Sequence, residues 1–221
     1  MPAVIHRLAE YQGRMVSGLL TMSTRERLGG VGVGAGQASV AVSPIDAASF
    51  RGAMGSFATG VTIVTVRSPQ GDLHGMTVNS FSSVSLDPML VLVCLSTSSR
   101  GLALIEEACV FGVNVLSTGQ EDVSRWFANP CRPADSTMFD GVPMELGASG
   151  CPMLLEAVAV FDCRVHRLIP AGDHLIVVGE VVSLTHRPEL EPLVFHGGTY
   201  RLLGRKRVPG GRARLHVAPG H

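Results

Sequence analysis

The chain has 221 residues, of which 46% are hydrophobic and 5% aromatic, and its formal net charge at pH 7 is zero. A chain without net charge has no overall electrostatic attraction for nucleic acid or for anionic membranes. Its apolar runs are all shorter than the roughly 18 residues that span a bilayer. These properties predict a globular protein whose partners are small molecules or proteins, with no nucleic acid and no membrane.

Five cysteines are present, an odd number without a C-x-x-C pair, and the N-terminus lacks the pattern of a secretory signal. Disulfide frameworks normally use even sets of cysteines in secreted chains. The sequence therefore predicts a cytoplasmic location.

Residues 1–43 include the glycine-rich run 29–36, which is too poor in large apolar side chains to pack alone. Gly30, Gly32 and Ala35 fit the loose pattern G-x-G-x-x-A. Neither the hydrophobic strand before this pattern nor the acidic residue after it is present, so it does not predict a dinucleotide site. We expect a flexible extension over 1–43, a domain over 44–204 and a basic, disordered tail over 205–221.

The domain should begin with a helix, capped within residues 43–46, that runs through Phe50, Met54 and Phe57 and ends at Gly60. Short helices are also predicted at 101–108 and 120–128, and a Pro- and Gly-rich loop at 129–147. Alternating or β-branched runs predict strands at 61–67, 73–78, 80–86, 89–96, 110–116, 154–168 and 175–184. Many strands with few short helices predict a mainly β fold, specifically a β-barrel.

Hydroxyl and amide side chains alternate with Val78, Phe81 and Val84 in residues 77–85, between two apolar strands. An isoalloxazine ring binds to such a mixture, because its polar edge forms hydrogen bonds while its two faces pack against apolar side chains. The alternative is an exposed polar sheet face.

Two further segments carry chemistry. Residues 96–100, Ser-Thr-Ser-Ser-Arg, precede a predicted helix, where free N–H groups, hydroxyls and one Arg could bind a phosphate. Ser98 or Ser99 could equally be an ordinary helix cap. His174 follows a Gly-Asp turn at the start of a strand, where it could position a nicotinamide, relay a proton, or simply lie on the surface beside Asp173.

These segments resemble the flavin reductase family of two-component flavin-dependent monooxygenases. The resemblance covers roughly residues 50–203 and rests on six stretches in order: FATGVTIVT (57–65), GMTVNSF (75–81), SVSLDP (83–88), FGVNVL (111–116), GDH with VGEV (172–174 and 178–181), and FHGGTY (195–200).

The resemblance implies an FMN-binding split β-barrel of Greek-key type, paired as a homodimer, that reduces FMN or FAD with NADH or NADPH. Hydride would pass to flavin N5, and a separate flavin-dependent monooxygenase would receive the reduced flavin. It implies that His174 and Tyr200 face the nicotinamide and that flavin is bound by Thr77, Val78, Asn79, Ser80, Ser83, Val84 and Ser85, with Ser96, Ser98, Ser99 and Arg100 near its phosphate.

Three alternatives stay open at this point. The same fold could serve a flavin carrier without reductase activity, or an oxidase resembling pyridoxamine-phosphate oxidases. A third possibility is a structural or regulatory protein that uses its basic tail as a contact surface.

Overall fold

The computed structural model describes residues 44–204. The predicted extension over 1–43 and the predicted tail over 205–221 lie outside the described residues. In the described part, none of the helices combines the length and the apolar character needed to cross a membrane.

The first helix, α1 (Ala47–Gly55), begins where the sequence predicts. The Asp46 carboxylate caps it by accepting from the N–H groups of Ala48 and Ser49, both at 2.8 Å. The helix ends at Gly55 instead of reaching Gly60, because Thr59 and Gly60 pair as a strand with a segment far along the chain. No residue of α1 is buried.

Twelve strands are found in residues 44–204. They are β1 (Thr59–Gly60), β2 (Thr62–Arg67), β3 (Leu73–Val78), β4 (Ser82–Leu86), β5 (Met89–Ser96), β6 (Val110–Val115), β7 (Met144–Leu146), β8 (Pro152–Leu154), β9 (Ala159–Ala171), β10 (His174–His186), β11 (Val194–His196) and β12 (Thr199–Arg201). All of their pairings are antiparallel. The predicted mainly β class is confirmed.

Seven strands form the main sheet, in the order β3-β2-β6-β9-β10-β5-β4. Strands β1, β11 and β12 form a second sheet, and β7 pairs with β8. The predicted hairpin of β2 and β3 is present, as is the hairpin of the two long strands β9 and β10. Strands β1, β7, β8, β11 and β12 were not predicted, and β9 begins at Ala159 instead of residue 154.

The other two helices are α2 (Arg100–Ala108) and α3 (Glu121–Ala128), close to their predicted bounds. Two 3-10 helices, Thr118–Gln120 and Ser136–Phe139, complete the helical elements of this range. Leu102 and Ile105 of α2 enter one core cluster with strand residues such as Val64 and Phe111. Phe127 of α3 enters a second cluster. Each buried large apolar side chain stabilises the fold by about 1.5–3 kcal/mol, so both helices are held firmly against the sheet.

Candidate functional site

The polar segment after β3 is tied to β5 by a serine side chain. Ser80 Oγ donates to the carbonyl of Cys94 at 3.1 Å and accepts from the Cys94 N–H at 2.9 Å. Ser80 lies in the connection between β3 and β4, the two edge strands of the main sheet, so the two bonds hold this connection against β5. The Ser80 hydroxyl is therefore already satisfied within the protein, and Ser80 holds the segment in place.

The rest of this segment forms an open polar face. Asn79 and Ser83 are exposed, and Val84 is 47% exposed. Ser85 Oγ accepts from the Asp87 N–H at 3.2 Å. Val78 instead packs in the core, so only its backbone is available to a ligand.

Thr77 and Tyr200 are joined through one residue of α3. Thr77 Oγ1 donates to the carbonyl of Ser124 at 2.7 Å, and the Ser124 hydroxyl lies 2.8 Å from Tyr200 Oη. Ser124 is fully buried. Sequence reasoning missed Ser124, whose only signal is a small hydroxyl residue on the same face of a short helix as Phe127.

The Tyr200 ring contacts one aromatic ring and one guanidinium group. Its ring lies 5.3 Å from that of Phe195, and the Arg125 guanidinium lies 4.8 Å from the ring centroid. The turn Gly197-Gly198, with φ of 59° and 78°, joins β11 to β12. Both residues occupy the left-handed region that a tight two-residue hairpin requires, and glycine adopts it without strain.

Residues 96–100 form a polar loop at the start of α2. Ser96 Oγ and Ser98 Oγ are 2.9 Å apart. Ser99 occupies the cap position, but its side chain makes no capping hydrogen bond and donates instead to Met76 Sδ at 3.6 Å. The Arg100 side chain is exposed. The alternative of an ordinary serine cap is not realised, so within the part of the chain that the structure describes the N–H groups of the first turn have no side-chain acceptor.

The β9–β10 hairpin brings His174 to this same loop. His174 lies directly opposite Ser96 in the β5–β10 ladder, and the carbonyl of Asp173 accepts from the Thr97 N–H at 3.0 Å. Gly172, at φ 66°, permits the tight turn that presents His174. The phosphate-binding candidates and His174 are thus neighbours, although they are far apart in sequence.

The His174 imidazole is oriented by its neighbour. Its Nδ1 lies 2.8 Å from Asp173 Oδ1, and its side chain is 45% exposed. This contact with His174 lowers the pKa of Asp173 below its usual value. With a proton on Nδ1, the imidazole donates to Asp173 and keeps Nε2 as an acceptor for a ligand.

Residues 76–80 connect these groups. Ser124 and Tyr200 are joined to Thr77, Ser99 is bound to Met76, and Ser80 is bound to β5, the strand that ends at Ser96. Met76 and Val78 themselves lie in the core. The structure therefore brings together the candidate residues in two groups joined by β3: Thr77 with Tyr200, and residues 96–100 with His174.

Comparisons with known proteins identify the family. A family model described as "Flavin reductase like domain" matches residues 54–204. The chain belongs to this family. It is 43% identical over 161 residues to the "NADH-dependent FAD reductase" of Streptomyces globisporus, covering 72% of this chain and 87% of that protein.

Two solved structures extend the likeness to the fold. One is "Streptomyces globisporus C-1027 NADH:FAD oxidoreductase SgcE6 in complex with NAD and FAD fragments", with TM-score 0.69, 40% identity and coverage of 74% of this chain and 96% of that one. The other is BorF, "the Flavin Reductase Component of a Bacterial Two-Component Tryptophan Halogenase", with TM-score 0.68, 42% identity and coverage of 73% and 100%. The predicted split-barrel fold is confirmed by this likeness.

Proposed function

We propose that this protein is an NAD(P)H:flavin oxidoreductase of the EC 1.5.1 type that reduces free FMN or FAD and supplies the reduced flavin to a separate flavin-dependent monooxygenase. The observation that carries the proposal is the exposed polar segment between β3 and β5, together with His174 opposite Ser96 near a helix start that has no side-chain cap, in a chain of the flavin reductase family. Relatives named as NADH-dependent FAD reductase and as a halogenase reductase component support both the activity and the kind of partner.

The candidate residues at 77–85 and 96–100 fit a flavin. Exposed hydroxyls and amides suit the polar edge of the ring, and the uncapped first turn of α2 with Arg100 suits a phosphate. In the proposal, the ring and ribityl chain contact Thr77, Val78, Asn79, Ser80, Ser83, Val84 and Ser85, the phosphate lies near Ser96, Ser98, Ser99 and Arg100, and the nicotinamide lies near His174 and Tyr200.

The bound flavin supplies the chemistry, since its N5 atom accepts a hydride from reduced nicotinamide. The protein's part is to hold the two rings at reactive distance. It needs no covalent nucleophile, and its buried thiols are unsuited to that role, because burial raises the pKa of Cys163 to about 12 and that of Cys151 above its usual value. Five unpaired cysteines agree with a cytoplasmic location, which we also propose.

We further propose that the protein is a homodimer. Helix α1 buries none of its side chains, and Ile45, Phe50, Met54 and Phe57 are 53–77% exposed. A nine-residue helix is not stable alone in water, so it needs a packing partner. The open face at Asn79 and Ser83 also leaves one side of a flat ring uncovered by this chain. A second copy of the chain would supply a packing partner for α1 and would cover the open side of the flavin ring.

Sedimentation equilibrium tests the dimer. The full chain should have twice the monomer mass, and Phe50→Glu should shift it toward monomer because a buried charge in the interface is costly. Gly52→Ala, on the same helix with nothing within 4 Å of the added Cβ, should leave the mass unchanged. A monomer of the wild-type chain at micromolar concentration would contradict the proposal.

The activity is tested by mixing the purified chain with NADH or NADPH and an excess of FMN or FAD in air. We expect loss of reduced-nicotinamide absorbance that depends on added flavin. Flavin binding without nicotinamide oxidation would refute the reductase and favour the carrier; oxidation independent of added flavin would point to an oxidase.

His174→Ala should lower kcat/KM for the nicotinamide substrate by about tenfold, since one positioning contact contributes about 1.4 kcal/mol to the transition state. The affinity for flavin, measured by fluorescence quenching, should change little. His166→Ala is the matched control, because His166 lies exposed on β9. Equal kcat/KM for the two variants would remove His174 from the site.

A further inference from the structure

A polar cavity lies at the end of β9 and β10 away from His174. It has a volume of about 90 Å³, and the hairpin of β7 and β8 forms one wall. A single water needs roughly 10–15 Å³ of such space. The cavity is therefore large enough for an ion with part of its hydration shell, and no group of the proposed flavin site lines it.

A buried carboxylate with an unpaired oxygen lines this cavity. Asp162 is 3% exposed, and its Oδ2 accepts from the Ser149 N–H at 2.9 Å. Its Oδ1 is buried and has no hydrogen-bond partner among residues 44–204. An ionised carboxylate without compensation is expensive to bury, so Oδ1 requires a positively polarised group from the cavity.

The strands are distorted at the same point. Val181 pairs with Cys163 and Ser183 with Asp162, so Val182 is an extra residue that bulges from β10. Such bulges redirect side chains and are common beside functional sites. Here the bulge sets Ser183 directly opposite Asp162, with both residues on the cavity wall.

The charges and donor atoms define the ligand class. Oxygen donors come from Asp162, Glu145, Ser183 and Thr185, and no His or Cys of the described residues lines the cavity. Such a set suits hard cations and not zinc or copper. Arg187 also lines the cavity, but its Nη1 donates to the carbonyl of Ala157 at 3.0 Å, and in residues 44–204 it forms no ion pair with either carboxylate.

Two carboxylates and one guanidinium leave a single negative formal charge, which one monovalent cation neutralises. We propose that Na⁺ or K⁺ binds in this cavity, with Asp162 Oδ1 as the buried charged ligand and Glu145, Ser183 and Thr185 as further oxygen donors. The cation joins the β7–β8 hairpin to the β9–β10 bulge and stabilises that corner of the barrel.

Thermal unfolding of the full chain in NaCl, KCl and choline chloride at equal ionic strength tests this site. Ligand binding to the native state raises Tm, and we expect at least one alkali salt to raise it by about 2 °C or more over choline. Asp162→Asn should abolish this salt-specific difference, whereas Glu189→Gln, an exposed carboxylate away from the cavity, should retain it.

If Asp162→Asn does not fold, the double variant Ser183→Ala, Thr185→Val serves instead, because both residues are exposed. This double variant should show a smaller Tm difference between the alkali salts and choline chloride. It should also broaden the ²³Na⁺ resonance less than the wild-type protein does. Equal Tm in all three salts would mean that water alone fills the cavity and would overturn the proposal. A larger effect of CaCl₂ than of either alkali salt would overturn the monovalent assignment. None of these outcomes depends on reductase activity.

Discussion

Gly75→Ala is expected to lower the free energy of unfolding by about 3 kcal/mol, at the upper end of the usual cost of overpacking a core. Gly75 lies on β3 beneath α3. A Cβ there would lie 2.6 Å from Phe127 Cε1, 2.9 Å from Phe127 Cδ1 and 3.1 Å from Phe139 Cζ. Phe127 is 1% exposed and cannot move without displacing its helix.

The same substitution should impair flavin reduction. Moving Phe127 moves Ser124, which lies one turn earlier on α3 and holds both Thr77 and Tyr200. Displacement of about 1 Å at a positioning residue can cost on the order of 100-fold in rate. We therefore expect a folded but weakly active variant at low temperature, with kcat/KM reduced at least tenfold.

Urea unfolding followed by circular dichroism measures the first effect and steady-state nicotinamide oxidation the second. Gly60→Ala is the matched control, because Gly60 is also a strand glycine but a Cβ there meets nothing within 4 Å. The control should differ from wild type by less than about 1 kcal/mol. Similar unfolding midpoints for the two variants would show that α3 shifts at little cost in free energy, and that packing against β3 does not fix the position of α3.

Local patterns predicted the main sheet because its strands carry their own signal. Strand β2 is a run of β-branched residues, and the two long strands flank Gly172 and Asp173, the residues of their turn. Strands β1, β11 and β12 are only two or three residues long, too short for an alternating pattern to show. Strands β11 and β12 form a local hairpin across Gly197-Gly198, whereas β1 forms because it pairs with β11, which is distant in sequence.

The site was predictable only as separate pieces. Hydroxyl-rich residues at 77–85 and 96–100 stand out in the sequence, but the pairing of Ser96 with His174 depends on the register of β5 and β10. The link from Thr77 to Tyr200 through Ser124 depends on how α3 docks on β3. The apolar spacing of Phe50, Met54 and Phe57 predicted a helix, but not that these three side chains are each more than half exposed in the described part of the chain.

A second large effect is expected from pH. The side chain of His74 is buried at 6% exposure on β3, and its ring lies against Gly101 in the first turn of α2. Burial, followed by the charges of Arg132 and Arg100, lowers the pKa of His74 to about 4. A histidine in an unfolded chain has a pKa of about 6.5. Between about pH 4 and pH 6.5, His74 is therefore protonated in the unfolded chain but neutral in the native chain.

The free energy of unfolding should therefore be highest above about pH 6.5. It should fall as the pH drops from about 6.5 toward 4, by up to about 3 kcal/mol from His74 alone. Urea unfolding of wild type and of His74→Gln between pH 4 and pH 7.5 measures the effect as the difference between the two curves. His74→Gln should be less stable or equal at pH 7.5 and should lose less stability on acidification. The carboxyl groups of Asp46, Asp135 and Asp173, whose pKa values are lowered, titrate below this window and are common to both proteins. Parallel curves would mean that the pKa of His74 is the same in the native and unfolded chains, and would contradict the expected effect of burial.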